Sequence, residues 1–145
     1  MKALIQRVSS ASVSVDGECC VLISRGFLVF LGITHGDTET AAEKLAEKIR
    51  KLRIFEDENG KTNLSIKDVT SELLVVSQFT LYADCRGGNR PGFENAAKGD
   101  YAKRMYEYFL SCCKNRFASV AHGIFGADMK VSLVNDGPFT IPECV

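Results

Sequence analysis

The run Phe27-Leu28-Val29-Phe30-Leu31-Gly32-Ile33 contains no polar side chain. It is too short to cross a bilayer, which takes about 18 or more apolar residues in succession. It is too continuous for a strand with one face in water, where apolar and polar residues alternate. A strand buried on both faces is the reading that remains. Leu73-Leu74-Val75-Val76-Ser77 reads as a second buried strand. Of the 145 residues, 46% are hydrophobic, enough for one real core. The length fits a single domain over residues 1–145.

Other segments supply the cover. Ala3-Leu4-Ile5-Gln6-Arg7-Val8 is an apolar run, and Ala11-Ser12-Val13-Ser14-Val15 alternates with period two. Asp16-Gly17 is a hairpin signal that returns the chain through Glu18 to Ile23. Ala42, Leu45, Ala46, Ile49 and Leu52 recur at helical spacing, with Asp37, Thr38 and Thr40 as candidate caps and Thr40 with Glu43 as a candidate capping box. Asp100 is placed to cap a second helix that runs to about Asn115, its apolar face being Ala102, Met105, Tyr106, Phe109 and Cys113. The chain closes with β segments at Val120–Phe125, 130–135 and 137–140, and Asn-Asp-Gly-Pro at 135–138 signals a turn between the last two. The expected fold is α+β: one domain, a mostly antiparallel barrel-like β-sheet, and two main helices packed on one side of it.

Eighteen basic and eighteen acidic residues leave no net charge, which excludes a broadly cationic nucleic-acid coat. No span long enough for a membrane and no apolar leader with a cleavage site are present, so a cytoplasmic protein with reduced thiols is expected. The six cysteines lack Cys-x-x-Cys spacing, and the only histidines, His35 and His122, have no partner spacing, so neither a metal site nor a cofactor is expected. Gly-x-Ser-x-Gly, Walker and dinucleotide-binding patterns are absent.

Three segments stand out. Ser77-Gln78-Phe79-Thr80-Leu81 begins where an apolar strand turns polar, and such strand ends present hydroxyls and amides to ligands; local backbone satisfaction by Ser and Thr explains the same pattern. Asn135-Asp136-Gly137-Pro138-Phe139-Thr140 is the turn already noted. Residues 86–104 carry Arg86, Arg90, Lys98, Lys103 and Arg104 against Glu94 and Asp100, a surplus of three positive charges with Phe93 and Tyr101 interleaved. That surplus suits either a solvated loop or contacts with phosphate.

Together these segments resemble the D-aminoacyl-tRNA deacylase family. Ser77, Gln78 and Leu81 match its Ser-Gln-x-x-Leu motif, and Asn135, Gly137, Pro138 and Thr140 match its Asn-x-Gly-Pro-x-Thr motif. The opening Ala-Leu-Ile-Gln-Arg-Val, Arg53-Ile54-Phe55 and Ala127-Asp128-Met129 look like the family too. Relatives with relaxed chirality carry Pro where this chain has Ser77, so the resemblance points to the D-specific branch. It implies hydrolysis of the ester between a D-amino acid, or glycine, and the 3′ end of tRNA, by a homodimer whose active sites are shared between subunits. Gly137 and Pro138, cis-bonded and braced by Arg7, would enter the partner's pocket and reject L side chains. Thr80 falls where a nucleophile has been proposed, but a lone hydroxyl needs a base. The resemblance also allows the tRNA's terminal 2′-hydroxyl to direct water while backbone donors near Phe79 and Thr80 hold the oxyanion. Ser77 and Gln78 would then shape the pocket and contact the terminal adenosine, with Arg86, Arg90 and Lys98 as candidate phosphate contacts. The competing reading is a non-catalytic RNA- or protein-binding module on the same fold.

Overall fold

The structure, a computed structural model, describes residues 1–145. Eight strands, two helices and one 3₁₀ turn follow in the order β1 (Lys2–Val15), β2 (Glu18–Ile23), β3 (Gly26–Gly32), α1 (Glu39–Lys51), β4 (Arg53–Glu56), β5 (Thr62–Ser65), β6 (Glu72–Ser77), the turn Phe79–Tyr82, α2 (Gly99–Lys114), β7 (Val120–His122) and β8 (Lys130–Cys144). β4 and β5 form a separate two-stranded ribbon. The other six strands form one sheet, in which β1 pairs antiparallel with β2, β3 and β8, while β3–β6 and β6–β7 are parallel. The sheet is therefore mixed, with antiparallel pairs in the majority. It curls into a nearly closed, barrel-like layer on which both helices pack.

β1 organises the sheet. β8 runs along one of its edges from Lys2 to Ser14, so the other edge is shared in turn by β3, opposite 2–8, and β2, opposite 11–15. The two buried runs sit in the middle as β3 and β6, and their alternation separates two cores. Phe27, Val29, Leu31, Leu73 and Val75 face the helices, among Leu45, Ile49, Phe109 and Cys113. Leu28, Leu74 and Val76 face the barrel interior with Val8, Val13 and Ile23. Burial of one such side chain contributes about 1.5–3 kcal/mol. β1 changes face on the way: Ala3 and Ile5 belong to the helix-side core, Ala11 and Val13 to the interior. With a side-chain period of two, that switch requires an extra residue. The register supplies it, since Val8 pairs Asn135 and Ser10 pairs Val134.

The helices lie side by side and parallel. Tyr101 Oη donates to the Asp37 carbonyl, Tyr108 Oη to Glu43 Oε1 at 2.7 Å, and Arg116 reaches Glu47 at 3.8 Å. Three local expectations are corrected. Of the three candidate caps it is Thr38 that caps α1, accepting from the Ala41 amide at 3.2 Å, and the Thr40–Glu43 capping box does not form, because Glu43 is drawn to Tyr108. Lys98 occupies the cap position of α2 with no side-chain cap, and Asp100 lies inside the first turn. β7 ends at His122, well short of Phe125. Cys112 and Cys113 are buried in α2, and burial pushes both thiols up. No helix is long and apolar enough to cross a membrane.

Candidate functional site

Two places on the molecule gather the residues singled out in the sequence. The first is the end of β6. Ser77 closes the strand, the Gln78 amide donates to the Leu31 carbonyl at 2.8 Å, and the chain then tightens into the 3₁₀ turn. Phe79 and Thr80 open that turn, so their amides have no acceptor within it. The turn packs directly on the end of β3, because Gly32 has no side chain. A Cβ there would stand 3.1 Å from the Gln78 carbonyl oxygen and 3.1 Å from Leu81 Cβ.

Beside the turn lies a cavity of about 510 Å³ with mostly apolar walls. Ser77, Gln78 and Phe79 form one wall, Phe93 and Lys98 another, and Phe125 and Met129 a third. Phe79 and Phe93 meet edge to face, centroids 5.0 Å apart. Gly99 and Ala102 also line the cavity, which puts the N-terminus of α2 at its rim. The uncapped amides of that first turn and the Lys98 ammonium bring positive charge to this end, alongside the Asp100 carboxylate in the same turn. Thr80 is exposed next to the cavity, and its Oγ accepts from Gln78 Nε2. An amide nitrogen cannot take up a proton, and neither histidine bonds Thr80: His35 Nε2 contacts the Glu94 carbonyl and His122 Nδ1 the Gly123 carbonyl. Thr80 therefore has a hydrogen-bond donor and no base.

The second place is a protrusion of β8. The sequence suggested a turn between two strands; β8 instead continues from Lys130 to Cys144 and slips register in the middle. Gln6 pairs Thr140 and Val8 pairs Asn135, so residues 136–139 are extruded from the pairing. Asn135 and Thr140 clasp the neck: Asn135 Nδ2 donates to Thr140 Oγ1 at 2.9 Å, and Asn135 Oδ1 accepts from the Phe139 amide at 2.7 Å. Arg7 holds the protrusion to the body. Its Nε donates to the Asp136 carbonyl at 2.9 Å, its Nη1 to the Ile54 carbonyl at 2.6 Å, and its guanidinium lies 4.9 Å from the Phe139 ring centroid. Hydrogen bonds to a charged donor are worth about 1.5–3 kcal/mol each, and Arg7 is almost fully buried, so this bracing is substantial. The Gly137–Pro138 peptide bond is cis. Gly137 has φ +142°, a conformation that favours glycine, and a Cβ there would lie 3.4 Å from Arg7 Nη2.

One chain does not bring these two places together. Arg7 pairs with Phe27, four residues along β3 from Leu31 at the cavity, about 13 Å at strand spacing. The basic loop is also more structured than its composition suggested. Arg86 is taken by Asp84, through Nε and Nη2 at 2.9 Å and 2.5 Å, and the guanidinium holds the Asp84 carboxyl down to about 2. Arg90 and Lys98 are exposed. The sequence reading missed Gly32 and the contributions of Phe125 and Met129. Only the one glycine inside an otherwise bulky apolar run was a local signal for any of them.

Residues 4–142 match the family model described as D-Tyr-tRNA(Tyr) deacylase. Relatives named D-aminoacyl-tRNA deacylase include one from Thermosipho africanus, 54% identical over 141 residues, covering 97% of this chain and 95% of that protein. Another, from Bacillus cytotoxicus, is 55% identical and covers 97% of each. A solved structure titled "c-Myc DNA Unwinding Element Binding Protein" superposes with a TM-score of 0.96 at 42% identity, over 100% of this chain and 99% of that one. A probable eukaryotic D-amino acid tRNA deacylase, at 15% identity and a TM-score of 0.86 over 98% and 97% of the two chains, shares the fold.

Proposed function

The chain belongs to the D-Tyr-tRNA(Tyr) deacylase family, and on that premise we propose that it hydrolyses the ester bond of D-aminoacyl-tRNA, and of glycine mischarged on tRNA, to release the free amino acid and tRNA. The observation that carries the reading is the full-length family match, joined to a cavity that forms where its first motif lies.

The terminal adenosine enters the apolar cavity, stacks against Phe79 and Phe93, and meets Ser77 and Gln78 at its edge. The amides of Phe79 and Thr80 face the scissile carbonyl and stabilise the charge that develops on its oxygen. Water is directed by the 2′-hydroxyl of that adenosine, because Thr80 has no base to make it a nucleophile. Lys98, the α2 N-terminus and Arg90 attract phosphate, while Arg86 does so from its pairing with Asp84. Leu81 packs the turn in place, and Asn135 and Thr140 hold the protrusion.

Chiral selection comes from a second copy. Gly137 and Pro138 lie away from their own chain's cavity, and in a homodimer they enter the partner's cavity. Their carbonyl oxygens then face the substrate's α-carbon, where an L side chain collides and a D side chain points away. Glycine offers nothing to reject. A binding module on the same fold has the DNA-binding title of the 42% identical structure in its favour. Hydrolysis of matched D- and L-tyrosyl-tRNA separates the readings: fast release from the D ester alone supports the deacylase, whereas equal rates or none overturn it.

A further inference from the structure

The 3₁₀ turn borders a second depression. Beyond Tyr82 lies an open, polar recess of about 630 Å³, lined by Lys2, Thr34, Tyr82, Asp84, Arg86 and Asn95, with Ala83 and Cys85 between them. None of these residues lines the apolar cavity. The two sites are neighbours because one four-residue turn supplies a wall to each: Phe79 to the cavity, Tyr82 to the recess. A 3₁₀ turn has three residues per turn, so residues three apart project from the same side, and a rise of about 2.0 Å per residue separates them by about 6 Å. Stacked nucleotides of one strand advance by about 3.4 Å, so the recess lies one to two nucleotides from the cavity.

The recess is a built surface. Asp84 and Gly92 exchange backbone hydrogen bonds at 2.8 Å each, Thr34 Oγ1 donates to the Asn95 carbonyl at 2.5 Å, and the Ala97 amide donates to the Ile33 carbonyl at 2.9 Å. Its binding groups are left open. The Asn95 side-chain amide has no protein partner, and Arg86 spends only Nε and Nη2 on Asp84, which leaves Nη1 unpartnered. Lys2 Nζ lies 4.5 Å from the Tyr82 ring centroid and donates to the Leu81 carbonyl at 3.3 Å, which places a cation at the floor. An aromatic ring, a free amide, and two cations of which Arg86 is paired with the Asp84 carboxylate surround one depression; stacking, base-edge hydrogen bonds and phosphate contacts are the means by which proteins hold single-stranded RNA.

We propose that this recess is a second nucleotide subsite, which takes the nucleotide immediately 5′ to the esterified terminal one; the inference rests on the deacylase reading above. Tyr82 offers the base a stacking surface, Asn95 bonds its edge, and Arg86 Nη1 with Lys2 meets the phosphate that links it to the terminal adenosine.

The test compares kcat/KM for the D-tyrosyl ester of the trinucleotide CpCpA with that for D-tyrosyl-adenosine. Each enzyme is scored by the ratio of the two, so any loss of folded protein cancels. The wild type favours the trinucleotide by about tenfold or more, and Tyr82→Ala and Asn95→Ala each bring the ratio toward one. A wild type that hydrolyses D-tyrosyl-tRNA but shows a ratio near one overturns the subsite alone, as does a ratio that neither variant moves. A wild type inert on D-tyrosyl-tRNA overturns the deacylase reading and the subsite with it.

Discussion

Thr80 and Gln78 show what a single hydrogen bond decides. The only side chain that Thr80 engages is a donor, so its hydroxyl is oriented but not deprotonated. Thr80→Ala should therefore lower kcat/KM on D-tyrosyl-tRNA by no more than about tenfold, measured in single turnover; a loss of about a thousandfold with binding intact would make Thr80 the nucleophile. The sequence marked both residues by position, at the place where an apolar strand turns polar. It did not disclose their pairing, because side-chain geometry in a tight turn is set by what the turn rests on. The same holds for Asn135 and Thr140. Their motif was legible and their task as a clasp was not, since it depends on pairing with Gln6 and Val8, more than a hundred residues away.

At the scale of elements, β3 and β6 were the most legible parts of the chain, because continuous burial leaves few alternatives to a central strand. Both helices announced themselves by their apolar faces. The errors fell at their ends, where caps depend on neighbours: Glu43 found a tyrosine on α2, and Asp37 was drawn to the Thr34 amide, 2.8 Å from Oδ2. The fit between β3 and the 3₁₀ turn yields an expectation for Gly32. Gly32→Ala forces a methyl group to within 3.1 Å of a carbonyl and a neighbouring Cβ, so the turn must lift by a few tenths of an ångström. If the turn is the oxyanion site proposed above, a shift of that size lowers kcat by about ten- to a hundredfold. KM and the circular-dichroism spectrum should stay close to wild type. A proportionate loss of folded protein in place of lost kcat would show that Gly32 serves the fold alone.

For the whole molecule, the informative fact is what one chain leaves uncovered. Phe79 is 55% exposed and Val134 56%, although both adjoin well-packed strands, and the protrusion at 136–139 has no cavity of its own to enter. In the proposed homodimer, a second copy covers the one and receives the other. Sedimentation should find a dimer at micromolar concentration, and activity per chain should fall on dilution below the dissociation constant; a monomer with undiminished activity would refute the shared site. No pattern of residues announced this uncovered surface in advance, since such a surface looks in sequence like an ordinary half-buried strand. The neutral overall charge was likewise silent about RNA, because attraction to a substrate's end needs only a few well-placed cations.

The register slip in β8 has one more consequence. Pairing with β1 is regular from Gln6–Thr140 to Lys2–Cys144 on one side of residues 136–139 and from Ser10–Val134 to Ser14–Lys130 on the other, so the irregularity is confined to the protrusion and the bulge beside it. On the proposed chiral-selection reading, the protrusion is a feeler whose reach is separate from the regular pairing that carries it. Gaining or losing a residue at its tip would alter how deeply a neighbouring molecule is probed, while every rung of the ladder on either side stayed where it is.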